Sequence, residues 1–367
     1  MDLSFGRESM TESLQRIVGA AEKRLTMPIL GNARIRPSEG GGIQVDTTDL
    51  ELAWRATAEG TISEGVDTTV SVRKLLDIVK AAPADATVQA RIEGERLTVG
   101  FGKSRFSLAT LPGHDFPEWE AAEIEHWLEI PQRLLRRLIE ATMFSMAQQD
   151  VRYYLQGLLL VAQGSTLRTV ATDGHRLAMN EAVLETKVGA DQECIVPRKT
   201  VQELRRNLLD DETPVRVGFA PGQVAFDFGG ARLTSKVIDG RFPDYERVIP
   251  KDLPGSLTVE REDFRQALAR VAIVASDKYR GVRLMVGPNG CRLVTHNAER
   301  EEAEESLSAD YQGDEVEIGF NLNYLVDVLN AIGADRIRME LRDGNSSALI
   351  RAEPADQARY VVMPMRL

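Results

Sequence analysis

The chain has 367 residues, 43% of them hydrophobic and 28% charged, as expected of a soluble globular protein with two or three domains. No apolar run reaches the ~18 residues that cross a membrane, and the first residues lack the basic and apolar segments of a secretory signal. The two cysteines fit neither a zinc site nor a disulfide framework and suit a reducing cytoplasm, and the net charge of −11, taken alone, argues against nucleic-acid binding.

The predicted elements follow the same order in each third of the chain: an amphipathic helix, strands, a second short helix and further strands. Helices are predicted at 8–23, 73–82, 131–146, 197–209, 261–275 and 321–332. The fourth is expected to start at Pro197, because proline is favoured in the first turn of a helix. Strands are predicted at 43–45, 89–92, 96–101, 105–109, 155–162, 167–171, 232–237 and 360–363. The pattern indicates α+β domains with two helices and about eight antiparallel strands each.

Short landmarks recur at a constant spacing along the chain. Asp49, Asp173 and Asn297 are each 124 residues apart and lie in similar tetrapeptides, and Phe116-Pro117 returns 126 residues later as Phe242-Pro243. A solenoid repeat is roughly 20–50 residues long, so this longer period indicates a whole domain present three times. The turn-rich stretches near these landmarks place the domains at 1–122, 123–252 and 253–367.

Charge is distributed unevenly along the sequence. The six predicted helices, with the adjoining Arg24, carry a net charge of +7, so the remainder carries −18. A solvated helix surface would explain this simply. The alternative is that the helices line one surface facing a polyanion, while the acidic remainder faces solvent and keeps DNA off the exterior. Charge alone leaves both interpretations open.

A family resemblance rests on motifs in the middle and at the end of the chain. These motifs are Asp150-Val151-Arg152-Tyr153-Tyr154-Leu155, Ala171-Thr172-Asp173-Gly174-His175-Arg176-Leu177, Asp239-Gly240-Arg241-Phe242-Pro243-Asp244-Tyr245 and Tyr360-Val361-Val362-Met363-Pro364-Met365-Arg366-Leu367. Together with Met27-Pro28-Ile29-Leu30-Gly31-Asn32 and Gly319-Phe320-Asn321, they resemble the bacterial DNA polymerase III beta subunit, the replicative sliding clamp. The resemblance covers the whole chain in order.

The resemblance implies the DNA-clamp fold, in which two three-domain crescents close head to tail as a homodimeric ring around duplex DNA. Such a protein has no chemistry of its own and tethers polymerases to DNA for processive synthesis. The implied location is the cytoplasm, at replication forks on the nucleoid, with no membrane association.

A sliding ring must not read base sequence, so its DNA contacts should be non-specific contacts to phosphates. A single good base contact would discriminate by ~1–3 kcal/mol and would hold the ring at particular sites. The candidates for such contacts are Arg24, Arg73, Gln149, Arg198, Lys199 and Arg205.

Closing a head-to-tail ring requires two different and complementary faces. By resemblance, the face on domain 1 is basic and apolar and comprises Lys74, Arg96, Lys103, Arg105, Phe106 and Leu108. The face on domain 3 is acidic and apolar and comprises Ile273, Val274, Glu299, Glu301, Glu302, Glu304 and Glu305. Val274 is smaller than the leucine common in the family.

The resemblance also implies a partner pocket between domains 2 and 3 that takes a short linear peptide with Gln, Leu and aromatic or aliphatic side chains. Its expected residues are Arg152, Tyr154, Leu155, Thr172, Gly174, His175, Arg176, Leu177, Pro243, Arg247, Val248, Tyr324, Val361, Met363, Pro364, Met365 and Arg366. Methionines suit a site with many partners, because they repack around different side chains. The implied partners are the DNA polymerase III alpha subunit, the clamp-loader delta subunit, other DNA polymerases and mismatch-repair proteins. Asn345 stands where some relatives have a small apolar residue.

The sequence disfavours enzymatic readings. Gly102-Lys103-Ser104 resembles the end of a phosphate loop, but Leu97 occupies the position of the required earlier glycine. The four histidines lack zinc-ligand spacing, so neither a cofactor nor a catalytic residue is expected. The remaining alternative to the clamp is a peptide-binding scaffold that does not encircle DNA.

Overall fold

The computed structural model describes residues 1–22, 27–185, 187–275 and 280–366. Within these ranges there are six α-helices and 26 β-strands, which confirms the α+β class. The helices α1–α6 span Arg7–Ile17, Val72–Ala81, Gln132–Thr142, Arg198–Asn207, Arg261–Val271 and Leu322–Ala331. None of these helices is long and apolar enough to span a bilayer.

The strands are divided nearly evenly among the three thirds of the described chain. The first third contains β1–β9, at Asp2–Gly6, Asn32–Pro37, Ile43–Thr48, Leu52–Ala58, Gly60–Ile62, Thr68–Ser71, Thr87–Glu93, Arg96–Phe101 and Ser104–Pro112. The middle third contains β10–β17, at Trp127–Pro131, Gly157–Gln163, Thr166–Thr172, Arg176–Val183, Gln192–Pro197, Pro214–Ala220, Gln223–Asp227 and Ala231–Lys236. The last third contains β18–β26, at Gly255–Glu260, Gly281–Gly287, Gly290–His296, Glu302–Leu307, Asp310–Gln312, Val316–Asn321, Arg336–Leu341, Ala348–Glu353 and Arg359–Val362.

Each helix forms because apolar residues recur at helical spacing and bury one stripe. In α5 the buried stripe is Phe264, Ala267, Leu268 and Val271, and the charged residues of the helix lie outside it. The α2 helix buries Val72, Leu75, Leu76 and Val79 at the same spacing. Both helices therefore bury one face, as amphipathic helices do.

The first helix of each third is shorter than predicted. Instead of continuing to residues 23, 146 and 275, α1, α3 and α5 end at Ile17, Thr142 and Val271. Beyond these ends the backbone tightens into 3₁₀-type turns, as in the bonds from the Ala20 N–H to the Ile17 oxygen and from the Val274 N–H to the Val271 oxygen. Apolar residues continue through such turns, so the hydrophobic pattern of the sequence overestimated the lengths of these three helices.

The fourth helix begins one residue after its predicted start at Pro197. Pro197 is the last residue of β14, where it lies opposite Gly157 of β11, and α4 begins at Arg198. The fixed φ of proline suits a strand end next to a helix as well as a first turn. The other five starts lie within one residue of prediction.

The chain divides into two compact units. The first unit comprises 1–133 and 202–237, and the second comprises 134–201 and 238–367. The first unit holds a 13-stranded sheet in the order β10-β15-β16-β17-β4-β3-β2-β6-β9-β8-β7-β1-β5. Within it, Arg206 of α4 donates hydrogen bonds to the backbone oxygens of Gln15 and Arg16 at the end of α1.

The second unit holds a nine-stranded sheet, β14-β11-β12-β13-β26-β25-β24-β18-β22, and a four-stranded sheet, β21-β20-β19-β23. Strand β26, from the end of the chain, pairs antiparallel with β13, placing Val361 opposite Leu177 and Val362 opposite Arg176. This pairing brings residues that are far apart in sequence to one place in the unit.

Candidate functional site

The turn between β12 and β13 is held in one conformation by its own side chains. The Oδ1 atom of Asp173 accepts hydrogen bonds from the N–H groups of His175 and Arg176, at 2.9 and 3.0 Å. Thr172 Oγ1 donates to the Arg176 backbone oxygen at 2.7 Å, and Gly174 takes a φ of +88°, which glycine tolerates best. The turn therefore presents His175 and Arg176 in fixed positions.

Arg176 is the most heavily bonded residue of this region. Its guanidinium bonds Asp173 Oδ2 at 3.1 Å, Asp327 Oδ2 of α6 at 2.5 Å and the Phe144 backbone oxygen at 2.8 Å. It also lies 4.5 Å from the ring centroid of Tyr324, within cation–π range. Arg176 therefore fixes Tyr324 and α6 relative to the turn.

Arg152 lies against the same turn. Its guanidinium bonds both carboxylate oxygens of Asp150 and donates to the backbone oxygen of Asp173 at 3.1 Å. The hydrogen bond from Arg152 lowers the pKa of Asp150 to about 2, so this pair stays charged at neutral pH. A Cβ at Gly174 would lie 2.8 Å from Arg152 Nη1, so the absence of a side chain at Gly174 makes room for the arginine.

The segment after β26 completes the region. The Met363 N–H donates to the His175 backbone oxygen at 2.9 Å, and the Met365 N–H donates to the Gly319 oxygen at 2.8 Å. Between them lies Pro364, partly exposed, and Arg366 follows with its side chain exposed. Two methionines are thus presented along the turn at half-exposed positions.

An apolar wall lies under these groups. Leu177 and Val361 belong to one buried cluster, and Tyr154 and Val248 pack against it partly buried. Leu155 is fully buried, and the His175 ring stacks on the Tyr324 ring with centroids 6.4 Å apart. All seventeen residues expected in the pocket lie in the second unit.

A groove of about 660 Å³ adjoins this wall. Arg247 and Val248, both expected in the pocket, line it, and Arg247 pairs with Asp244 at 2.8 Å. The rest of the lining comes from Asp244, Glu246, Ile249, Pro250, Lys251, Leu253, Arg342, Ser346 and Ser347. Pro243 lies exposed beside Asp244. The arrangement is a groove with four apolar residues among a larger number of charged and polar ones, and the apolar part suits binding of a peptide side chain.

Over the described residues no group of three or more His, Cys, Asp or Glu side chains could hold a metal ion. Burial raises the pKa of the Cys194 thiol to about 12 and that of Cys291 to about 11, so both thiols stay protonated at neutral pH.

Four of the expected DNA-contacting residues lie on helices α2 and α4. Arg73 and Lys199 are partly buried, with Arg73 donating to the Ala21 backbone oxygen, and Arg205 is exposed. Arg198 donates to the Met146 oxygen, and burial lowers the pKa of its guanidinium. Gln149 is exposed with a φ of +54°, and Arg24 lies outside the described residues.

The basic residues expected at a subunit interface lie on a sheet edge in the first unit. Residues 104–109 of β9 pair with β8, and within the described chain no strand pairs with their other side. Phe106 and Leu108 lie half-buried on this edge, between the exposed residues Arg105, Ser107 and Ala109. Arg96 on β8 and Lys103 between β8 and β9 are exposed, as is Lys74 on α2.

The acidic residues expected at the interface lie on a second edge, in the second unit. Strand β21 ends the four-stranded sheet, and its side chains alternate between exposed Glu302 and Glu304 and half-buried Ala303 and Glu305. Glu305 turns toward α5 and forms a bidentate pair with Arg270. Glu299 and Glu301 are exposed, Val274 is half-buried and Ile273 is 83% exposed.

Sequence reasoning missed two residues that hold the pocket. Asp327 and Phe144 both contact Arg176, from 151 and 32 residues away in sequence. A signal for Asp327 was present, because it is the one charged residue of the α6 segment. Nothing local distinguishes Phe144, which contributes a backbone oxygen and a ring.

Comparison with known proteins covers the whole chain. Family models of the DNA polymerase III beta subunit match in succession: the N-terminal domain at residues 1–120, the central domain at 129–244 and the C-terminal domain at 246–366. The chain is 44% identical to the beta sliding clamps of Vibrio cholerae and Escherichia coli K12, over 100% of each sequence.

Solved structures agree with the sequence comparison. The DNA polymerase III subunit beta of Pseudomonas aeruginosa matches with a TM-score of 0.94 at 41% identity, over 100% of both chains. The Caulobacter crescentus protein matches with a TM-score of 0.93 at 36% identity, also over 100% of both. The expected three-domain clamp fold, and with it the expected role as a non-catalytic processivity factor of replication, is therefore confirmed. This chain belongs to the DNA polymerase III beta subunit family, the bacterial beta sliding clamps.

Proposed function

We propose that two copies of this chain close head to tail into a ring around duplex DNA and hold replication proteins on it. The observation that carries the proposal is the succession of three beta-subunit matches along 1–366. Three similar domains per chain make half of a six-domain ring, so the repeat requires a second copy for closure.

The two sheet edges support this closure. Strand edges expose unpaired backbone N–H and C=O groups, and such edges pair readily with another strand. The edge of β9 is basic through Lys103 and Arg105, whereas that of β21 is acidic through Glu302 and Glu304. Pairing β9 of one copy with β21 of the other joins opposite charges and buries apolar surface from Phe106 and Ile273. The interface then comprises Lys74, Arg96, Lys103, Arg105, Phe106, Leu108, Ile273, Val274, Glu299, Glu301, Glu302, Glu304 and Glu305.

DNA is held without reading its sequence. The six helices as observed carry a net charge of +7 in a chain of −11, so positive charge is concentrated on them. Phosphate contacts from Arg24, Arg73, Gln149, Arg198, Lys199 and Arg205 give attraction that weakens with salt and is the same at every position along the duplex. This uniformity is what sliding requires.

Partners bind as short linear peptides in the pocket built around Arg176. The half-exposed methionines and the apolar wall of Leu177 and Val361 suit Leu and aromatic side chains. A related Pseudomonas aeruginosa sliding clamp, 42% identical, has been solved bound to griselimycin. We assign to the pocket the DNA polymerase III alpha subunit, the clamp-loader delta subunit, other DNA polymerases and mismatch-repair proteins.

We further propose domain boundaries at 1–122, 123–252 and 253–367, and a cytoplasmic location at replication forks on the nucleoid. The gap between the first two matched ranges, residues 120–129, supports the first boundary, whereas the second gap, at 244–246, lies a few residues before the proposed second boundary. Limited proteolysis would be expected to cut first in these stretches.

Topological binding is tested by loading the full chain, with a clamp loader, onto nicked circular DNA. We expect retention of the protein through gel filtration at salt that removes non-topological binders, and release when the circle is cut once. Retention after cutting would contradict encirclement.

The helix contacts are tested by reversing Arg73, Lys199 and Arg205 together to glutamate. We expect loading to fall at least tenfold with peptide binding unchanged, because each lost phosphate contact removes salt-dependent attraction. The matched control reverses Lys187, an exposed lysine outside the helices, and should load normally. Normal loading of the triple variant would contradict the assignment of these three residues as DNA contacts.

A further inference from the structure

A row of charged side chains crosses the sheet of the first unit. Arg34 of β2 lies opposite Asp46 of β3, Asp46 lies opposite Arg55 of β4, and Arg55 lies opposite Arg232 of β17. Residues directly opposite in adjacent strands share one face of the sheet. Four adjacent strands therefore present three guanidinium groups and one carboxylate on the same face.

The segment after β9 covers this row and leaves a cavity beneath it. The cavity has a volume of about 120 Å³, and its lining from this segment is largely apolar: Phe116, Pro117, Glu118, Trp119 and Ala121. Its lining from the sheet includes Arg36, Ala53 and Thr234, together with the charged row. The segment is fastened in place, because Glu118 Oε1 accepts from Arg34 Nη1 at 2.6 Å.

The guanidinium groups at this cavity are incompletely satisfied by the protein. Asp46 accepts one contact from Arg36 Nη2, at 3.3 Å, and one from Arg55 Nε, at 3.1 Å. No acceptor in the described ranges contacts Nη1 or Nη2 of Arg55 or Nε of Arg36. Arg34, by contrast, donates from all three of its guanidinium nitrogens, to Asp67 and Glu118. Donors are therefore available to an anion held between Arg36 and Arg55.

We infer that this cavity is a binding site for a small aryl carboxylate, separate from the peptide pocket of the second unit. The carboxylate binds the free N–H groups of Arg36 and Arg55, since paired guanidinium donors match its two oxygens. The ring lies under Phe116, Pro117 and Trp119. The volume of about 120 Å³ is well below the ~300 Å³ of usual peptide and drug sites, so the occupant is a free small molecule whose ring lies in the cavity and whose carboxylate lies at the 56% exposed Arg55 side chain.

Trp119 provides a direct readout, because it is one of the chain's three tryptophans and lines the cavity. The indole of Trp54 is buried on the other face of the sheet, where it donates to Glu203 of α4. Phenylacetate is the probe, with 2-phenylacetamide and acetate as controls that lack the charge or the ring. We expect saturable quenching of tryptophan emission by phenylacetate. Either control should bind at least tenfold more weakly, because phenylacetamide lacks the charge and acetate lacks the ring.

Two variants locate the site. R36Q/R55Q removes the charges, and A53L fills the cavity without changing charge. Both are expected to weaken phenylacetate binding about tenfold or more, as loss of a charge-assisted hydrogen bond or of the space predicts. Circular dichroism and partner-peptide binding in the second unit serve as folding checks. Equal, unsaturable quenching by phenylacetate and phenylacetamide, or unchanged binding by well-folded R36Q/R55Q and A53L, would overturn the inference.

Discussion

Arg176 of β13 and Asp327 of α6 form an ion pair that joins two elements 151 residues apart. The arginine side chain is only 11% exposed, and the same guanidinium lies over the Tyr324 ring. A nearly buried guanidinium must be paired with acceptors. If one acceptor is lost, the free-energy cost of removing the charge from water is no longer compensated. The pair therefore couples the stability of the second unit to the shape of the pocket.

Replacing Asp327 with asparagine should lower the free energy of unfolding by about 1–2 kcal/mol, below the value for a fully buried pair because Asp327 is 40% exposed. It should also weaken peptide binding several-fold, because Tyr324 loses its fixed arginine. Urea denaturation and fluorescence anisotropy with a labelled partner peptide measure the two effects. Asn330→Ala, at an exposed position of the same helix, is the control and should change neither.

Replacing Gly174 with alanine should disturb the pocket through Arg152. The new Cβ would lie 2.8 Å from Arg152 Nη1 at a φ of +88°, so the arginine must leave its bond to Asp173. Gly222→Ala is a matched control, since its φ is +73° but nothing lies within 4 Å of the new Cβ. Both variants should lose about 1 kcal/mol of stability from backbone strain, but only Gly174→Ala should weaken peptide binding. Equal peptide affinities for the two variants would show that Arg152 does not contribute to peptide binding.

The repeating helices could be predicted from the sequence, because the residues that define each helix lie close together in the chain. Val72, Leu75, Leu76 and Val79 show the buried stripe of α2 within eight residues. The ends of the first helices could not be predicted, because 3₁₀-type turns and α-helical turns tolerate the same apolar residues, as at Ile273 and Val274.

The contacts that hold the pocket and the cavity were not predictable, since they depend on tertiary pairing. Arg34 meets Glu118 across 84 residues, and Arg176 meets Asp327 across 151. Many arginines and carboxylates in this chain have similar local surroundings, so nothing in the sequence selects these pairs. Resemblance supplied the motifs of the proposed pocket, but the residues that support them became visible only in the fold.

The Arg34 cluster should give the first unit a specific acid sensitivity. Hydrogen bonds from Arg34 lower the pKa of Asp67 below its ordinary value of 3.8 and that of Glu118 below 4.5. A carboxyl group with a lowered pKa stabilises the fold above its unfolded pKa, and this stabilisation is lost as the pH falls through the folded pKa.

The double variant Asp67→Asn, Glu118→Gln should therefore be less stable than the parent near pH 7, and the difference should shrink as the pH falls below about 4. Thermal unfolding followed by tryptophan emission at a series of pH values measures this, because all three tryptophans lie in the first unit. Asp77→Asn, at an exposed position of α2, should leave the pH profile of the parent unchanged. A difference that stays constant with pH would show that Arg34 does not depend on these charges.

Ile273 should be required for pairing of two copies. Its side chain is 83% exposed at the end of α5, and burying an isoleucine contributes roughly 1.5–3 kcal/mol. Ile273→Asp should therefore raise the dimer dissociation constant at least tenfold, since the variant loses this burial and adds a carboxylate to an acidic face. Val183→Asp is the control, because Val183 is 79% exposed but lies on β13 outside the proposed interface. Sedimentation velocity over a concentration series should show dissociation of the first variant alone, whereas equal dissociation of both would indicate a general loss of solubility or folding and would contradict the interface.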